Sequence, residues 1–140
     1  MKKVFYLLLS GSALFIMARL TYPYFLKRVF NLRGRVEIAE RLAETASRPN
    51  SMLFVVARNT GGVPVAVKKI INPVFPVEFR IASESLIMPE LLTKTLFLET
   101  FLNTHGELGI FKPGDIKGAL KRPVFFRKNN ITLILNTAAK

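Results

Sequence analysis

Residues 1–35 carry seven basic side chains and no acid, arranged around one apolar run that only Arg19 breaks. No other stretch constrains this chain as strongly. The segment opens Met1-Lys2-Lys3, stays apolar from Val4 to Ala18, and meets Arg19. It then resumes from Leu20 to Leu26 before Lys27-Arg28. A short basic head followed by a hydrophobic stretch is what the secretion machinery reads. The chain is therefore addressed to a membrane, where this segment is either removed or retained. Removal needs small residues at the −1 and −3 positions. A cut after Ala18 would put Ile16 at −3 and leave Arg19 as the new terminus, a poor site. Retention needs roughly 17–25 apolar residues. Val4 to Leu26 suffices if Arg19 snorkels to the headgroups, with Tyr22 and Tyr24 in the interfacial zone. A buried helix of a soluble protein is the third reading. The retained anchor is favoured, and Ser10-Gly11-Ser12-Ala13 is its candidate packing face, because small side chains let helices approach closely.

The flanking charges complicate the orientation. Lys2 and Lys3 precede the run; Lys27, Arg28, Arg33 and Arg35 follow it. The positive-inside rule would leave the C-terminal part in the cytoplasm, although long domains translocate regardless of flank charge. Basicity is also unevenly shared. Residues 1–35 account for +7 of the net +12, so the apparent nucleic-acid signature of a very basic chain is partly a targeting feature. The absence of cysteine excludes a disulfide framework, thiolate zinc, thiol redox chemistry and covalent c-type haem attachment. With His105 as the sole histidine, a multi-histidine metal site is excluded as well.

Beyond the anchor the pattern turns to short strands. Val36 and Ile38 alternate with Arg35 and Glu37, and Ala39 to Ala46 follows as a short helical insert with Leu42 and Ala43 facing inward. Ser51 to Arg58 is nearly continuous apolar sequence, suited to a central strand. Asn59-Thr60-Gly61-Gly62 turns the chain into a return strand, Val65 to Ile70, whose Lys68-Lys69 pair belongs at an edge or end. Val77, Phe79 and Ile81 alternate cleanly with Glu78 and Arg80. After Ser83-Glu84-Ser85 and Met88-Pro89 come a strand over Leu96 to Leu102, turns at 103–106 and 113–115, and a closing strand over Ile131 to Leu135. Short strands with Gly, Pro and Asn punctuation predict an all-β sandwich rather than βαβ units. The expected division is residues 1–30 as signal-anchor helix and 31–140 as sandwich domain.

The series Gly34-Arg35-Val36, a helical insert, Leu53 to Arg58, Gly61 to Ile70, Phe75 to Ile81, Ser85 to Pro89 and Pro113 to Gly118 resembles a known domain. It is similar to the immunoglobulin-like C-terminal domain of CycH/CcmI-type cytochrome c biogenesis proteins, over roughly residues 33–136. The resemblance implies an immunoglobulin-like sandwich on a membrane tether, outside the cytoplasm. It implies a single-pass protein of the inner (cytoplasmic) membrane with its C-terminal domain in the periplasm. Members of that family usually add tetratricopeptide repeats thought to hold the apocytochrome. No such repeat occurs in these residues, so that activity does not transfer residue by residue.

The individual candidates are weighed against blander roles. His105, in a turn, is expected to be an exposed turn residue rather than a metal or haem ligand, since a stable site wants three or four ligands. Arg58 ends a strand and is either a partner contact or the partner of a nearby carboxylate or carbonyl. Lys121-Arg122-Pro123-Val124-Phe125-Phe126-Arg127-Lys128 interleaves basic and aromatic residues. Its bland reading is a strand whose Phe pair fills the core; the others are lipid, partner or nucleic-acid contact. Glu37, Glu40 and Glu44 form a solvated face, and Met52 and Met88 are core or corner filler. Asn130-Ile131-Thr132 matches a glycosylation sequon, a pattern with many false positives. No nucleophile motif, phosphate loop or metal set is present, so no enzymatic activity, cofactor or metal is expected. The expected function is an accessory or scaffold protein of cytochrome c maturation or a respiratory membrane complex, acting by protein contact. Its partners are the membrane and protein subunits, possible c-type cytochrome components among them, with no nucleic acid. The partner-surface candidates are Arg58, Lys68, Lys69, Lys121, Arg122, Arg127 and Lys128. The alternative is a basic module that binds nucleic acid or anionic lipid.

Overall fold

The computed structural model describes residues 1–140. Helix α1 (Lys2–Val29) takes up the apolar run, and its side chains from Lys2 to Phe25 are all exposed. The helix therefore projects from the rest of the chain. Leu26 and Phe30, four residues apart and so on one helical face, are buried. The Phe30 N–H still donates to the Leu26 carbonyl at 2.9 Å, yet the very next N–H, that of Asn31, donates to Phe126 at 3.0 Å in strand fashion. Helix passes into sheet across one residue, with no linker.

The remaining strands are β1 (Asn31–Ile38), β2 (Met52–Arg58), β3 (Pro64–Ile71), β4 (Val77–Ala82), β5 (Thr95–Asn103), β6 (Ile116–Ala119), β7 (Val124–Phe125), β8 (Arg127–Leu135) and β9 (Thr137–Ala138). One sheet has the order β4-β1-β8; the other runs β3-β2-β5-β6-β9, with β7 beside β5. All pairings are antiparallel except that of β1 with β8. The segment β7-β8-β9 changes sheet twice and so stitches the two layers together. Between the layers lie Leu32 and Val36 of β1, Leu53, Val55 and Ala57 of β2, Phe79 and Ile81 of β4, Leu96, Leu98 and Leu102 of β5, and Leu133 and Leu135 of β8. Each such large side chain contributes about 1.5–3 kcal/mol through the surface it withdraws from water.

Two glycines mark where backbones touch. A Cβ on Gly34 would lie 2.1 Å from the Ile131 carbonyl oxygen, and one on Gly118 would lie 1.9 Å from that of Ile134. The first contact sits at a bulge, where the β1–β8 register shifts between Leu32 and Gly34. There Asn130 takes a left-handed φ of 56°, a conformation asparagine tolerates better than most residues.

Several expectations need correction. Strand β1 starts at Asn31, five residues before Val36, because the helix hands directly over to the sheet. The insert is a 3-10 turn (Glu40–Leu42) followed by α2 (Ala43–Ala46). It buries Leu42 and Ala46, while Ala43 faces solvent. Glu37 lies in β1 and pairs with Arg35 at 2.8 Å, so it shares no helical face with Glu40 and Glu44. The Phe pair does not fill the core: Phe126 packs against it, whereas Phe125 is 64 % exposed.

Candidate functional site

One surface cleft runs along the outer face of the larger sheet, from Arg58 near the α1 end to the loop after Asn103 at the far end. The outward residues Glu99 and Phe101 of β5 form its floor, with Arg58 of β2 and Lys117 of β6 beside them, and the loop after Asn103 forms its roof. The cleft has a volume of about 250 Å³, and Leu108, Ile110 and Phe111 give the roof an apolar lining. On the floor, Arg58 Nε donates to Glu99 Oε2 at 2.8 Å and its Nη1 to the Gly62 carbonyl at 3.1 Å. Lys117 Nζ lies 4.8 Å from the centroid of the Phe111 ring, a cation–π contact between floor and roof.

Local polar side chains shape the roof. Asn103, buried at the end of β5, accepts the Gly106 N–H at 2.8 Å and donates to the Glu107 carbonyl at 3.1 Å. Gly106 supplies the positive φ, 74°, that this turn requires. Asp115, also buried, closes the other end: its Oδ2 accepts the Lys112 N–H at 2.8 Å and meets His105 Nε2 at 2.7 Å. His105 Nδ1 accepts the Glu107 N–H at 3.2 Å, which leaves Nε2 as the donor to Asp115. Outside, Lys112 Nζ donates to Glu107 Oε2 at 3.0 Å. That hydrogen bond and the accompanying ammonium charge hold the Glu107 carboxyl below its ordinary range, with a smaller contribution from His105 against a slight opposing effect of burial. His105 is thus a partly buried structural residue, and its expected exposure is corrected.

The arrangement is suited to binding. A pocket with an apolar roof is bounded by two cations, Arg58 and Lys117, and three carboxylates, Glu99, Glu107 and Asp115, a mixed lining that suits an amphipathic ligand. No group of three or more His, Asp or Glu side chains converges on a possible metal position.

The residues singled out in the sequence occupy separate regions. Arg58 belongs to the cleft, through its pair with Glu99. Lys68 and Lys69 are exposed on β3, an edge strand, with Lys69 Nζ 5.8 Å from the Phe54 ring centroid. Lys121 and Arg122 lie between β6 and β7, and Arg127 and Lys128 open β8 beside the exit of α1. Ser10, Gly11, Ser12 and Ala13 lie on the projecting helix, where the two serine hydroxyls donate to the Leu7 and Leu9 carbonyls. Gly11 has nothing within 4 Å of its Cβ position. Sequence reasoning missed the cleft, because residues from β2, β5, β6 and a long loop build it. The one available signal was the pair of turns flanking Leu108 to Phe111, an apolar stretch with no strand to join.

A family model described as the cytochrome c-type biogenesis protein H Ig-like domain matches residues 32–136. The chain belongs to this family. The two-sheet architecture is thereby an immunoglobulin-like sandwich of a cytochrome c biogenesis domain, preceded by an apolar helix of 28 residues. That helix is long and apolar enough to cross a membrane. No curated protein matches the chain. Among solved structures, an alternative pilotin from the type II secretion system of Vibrio cholerae is similar, at 14 % identity and a TM-score of 0.49. The match covers 77 % of this chain and 97 % of the pilotin; a likeness at that level carries no functional argument.

Proposed function

We propose that this protein is a non-catalytic, membrane-anchored accessory or scaffold of cytochrome c maturation or an associated respiratory membrane complex. In this reading α1 is retained as a single anchor in the inner membrane, residues 31–140 form the periplasmic domain, and the domain acts by protein contact. The family match over residues 32–136 carries the reading. The cleft supports it: it opens on the outer face of the larger sheet, where a periplasmic segment of another protein can enter. Tethering confines both partners to one surface and raises their effective concentration, so that individually weak contacts suffice.

The test is affinity purification of the full chain from detergent-solubilised membranes, paired with deletion of its gene. The expected result is recovery with membrane subunits and a loss of assembled c-type cytochromes. Recovery of the protein alone, with cytochrome content unchanged on deletion, overturns the reading. A phosphatase-type reporter fused after Lys140 checks topology independently: activity confined to the periplasm is expected, and a reporter that works only in the cytoplasm refutes that orientation.

A further inference from the structure

The end of the sandwich from which α1 emerges is assembled from several segments. Asn31 at the start of β1 stands opposite Ala82, the last residue of β4, and opposite Arg127, the first of β8. Thr95 at the start of β5 stands opposite Phe125, and the Lys94 carbonyl accepts the Phe126 N–H at 2.8 Å. Asn59, just after β2, donates Nδ2 to the Leu91 carbonyl at 3.1 Å and so draws the stretch before β5 to the same end.

Two independent features mark this end. The first is charge. Arg33 on β1 stands directly across from Arg80 on β4, and both are exposed in one shallow groove on the outer face of the smaller sheet. Like charges opposite one another destabilise a ladder. The nearby acids do not remove the conflict: Glu84 reaches Arg80 only at 4.0 Å, and Glu78 faces Arg35. Lys94, Arg127 and Lys128 are exposed around the same end, against a single further acid, Glu90. The second feature is apolar exposure. Phe125 is 64 % exposed and Ile87 55 %, and Met88 and Leu91 are exposed beside them.

We propose that this end of the domain is a bilayer-contact surface that takes the anionic phospholipid headgroups of the membrane α1 enters. The inference rests on the reading of α1 as a retained anchor. Because helix passes into strand without a linker, an embedded α1 holds this end against the headgroups. Lys94 Nζ lies 5.5 Å from the ring centroid of Tyr22, and a tyrosine near the end of a membrane helix sits at headgroup depth. Lys94 shares that depth. Headgroup phosphates between Arg33 and Arg80 neutralise the like-charged pair, and Phe125 and Ile87 enter the boundary between headgroups and acyl chains, as the apolar side chains of interfacial helices do.

The chain contains no tryptophan, so Phe125→Trp places a single tryptophan, excited selectively over the tyrosines, at this end. A Val74→Trp control reports from an exposed loop at the opposite end. The full chain is reconstituted into phosphatidylcholine vesicles with or without about 30 mol % phosphatidylglycerol. Anionic vesicles are expected to shift the emission of the Phe125→Trp variant to the blue and to reduce its quenching by acrylamide; the Val74→Trp control stays unchanged. Adding Arg33→Gln, Arg80→Gln and Arg127→Gln, all at exposed positions, is expected to abolish both effects, and high salt to weaken them. Carbonate-resistant flotation separates the two levels of the argument. A chain that floats, with equal quenching in neutral and anionic vesicles, overturns the lipid surface and leaves the anchor standing. A chain that does not float overturns both. Protection that appears only in native membranes assigns this end to a protein partner and overturns the proposal.

Discussion

His105 Nε2 and Asp115 Oδ2, 2.7 Å apart, tie the two ends of the loop that roofs the cleft. The contact matters because Asp115 is buried; the Lys112 N–H remains as its other partner, and a hydrogen bond to a charged group contributes about 1.5–3 kcal/mol. His105→Ala is therefore expected to lower unfolding stability by about that amount. It should also speed amide exchange from Thr104 to Gly114 while the β2 and β5 amides stay protected. Unaltered loop exchange in this variant would show that the loop holds itself without the pair.

Acid should loosen the same loop through Glu107. Its carboxyl is held below the ordinary range chiefly by the hydrogen bond from Lys112 and by the charge of that lysine. The folded state thus favours the ionised form. The resulting stabilisation is fully present above the ordinary carboxylate pKa and is lost as pH falls through the lowered folded value. Wild type and Glu107→Gln should differ by a constant increment at neutral pH, and the difference should shrink only under acid. A gap that instead widens under acid would contradict the assigned direction. An NMR titration of the Glu107 side-chain carbon measures the shift itself.

Strands declared themselves in the sequence where one face is buried. Val77, Phe79 and Ile81 alternate with Glu78 and Arg80, and β4 forms there with that face inward. The run Leu53 to Ala57 is apolar throughout because β2 is central and buried on both faces. Lys68-Lys69 does mark an edge strand. The order of turns carried the family resemblance, which the match over residues 32–136 supports. What escaped depends on pairings distant in sequence. The handover at Phe30 is set by the Phe126 carbonyl, and the environment of His105 is set by an aspartate ten residues later. Helical and strand periods both fit a stretch such as 26–35, so only the tertiary partner fixes where one gives way to the other. Likewise Arg33 and Arg80 reveal their opposition only once β1 and β4 are in register.

The close approaches at Gly34 and Gly118 predict two severe substitutions. In each, a methyl group would fall about 2 Å from a carbonyl oxygen of β8, and a backbone cannot yield as a flexible side chain does. Gly34→Ala and Gly118→Ala should each cost at least about 3 kcal/mol, the upper range for overpacking. Gly11→Ala, with open space around it, should leave the domain unaffected. Denaturant titration of the three variants makes the comparison. A loss below about 1 kcal/mol for either Gly34→Ala or Gly118→Ala would mean the strands can separate at little cost.

Phe30 supports the most consequential prediction about the junction. It is 1 % exposed, and Leu26 beside it is 5 % exposed, so the last helical turn is part of the domain core rather than a tether to it. Phe30→Ala removes a ring from a packed interior and should cost about 3–5 kcal/mol. Leu26→Ala should cost about 2–5 kcal/mol. If α1 were joined only through its covalent link, both substitutions would behave as surface changes. A milder variant separates loss of packing from loss of fold: Phe30→Leu keeps most of the volume and should leave the sandwich formed while weakening the grip on the helix. A spin-label pair, one label at exposed Arg28 and one at exposed Lys121, reads that grip. The distance distribution should be narrow in the wild type and broader in Phe30→Leu, with the β2 amides still protected from exchange. Equal widths in the two proteins would show that the packing of Phe30 does not hold α1 at a fixed angle to the domain.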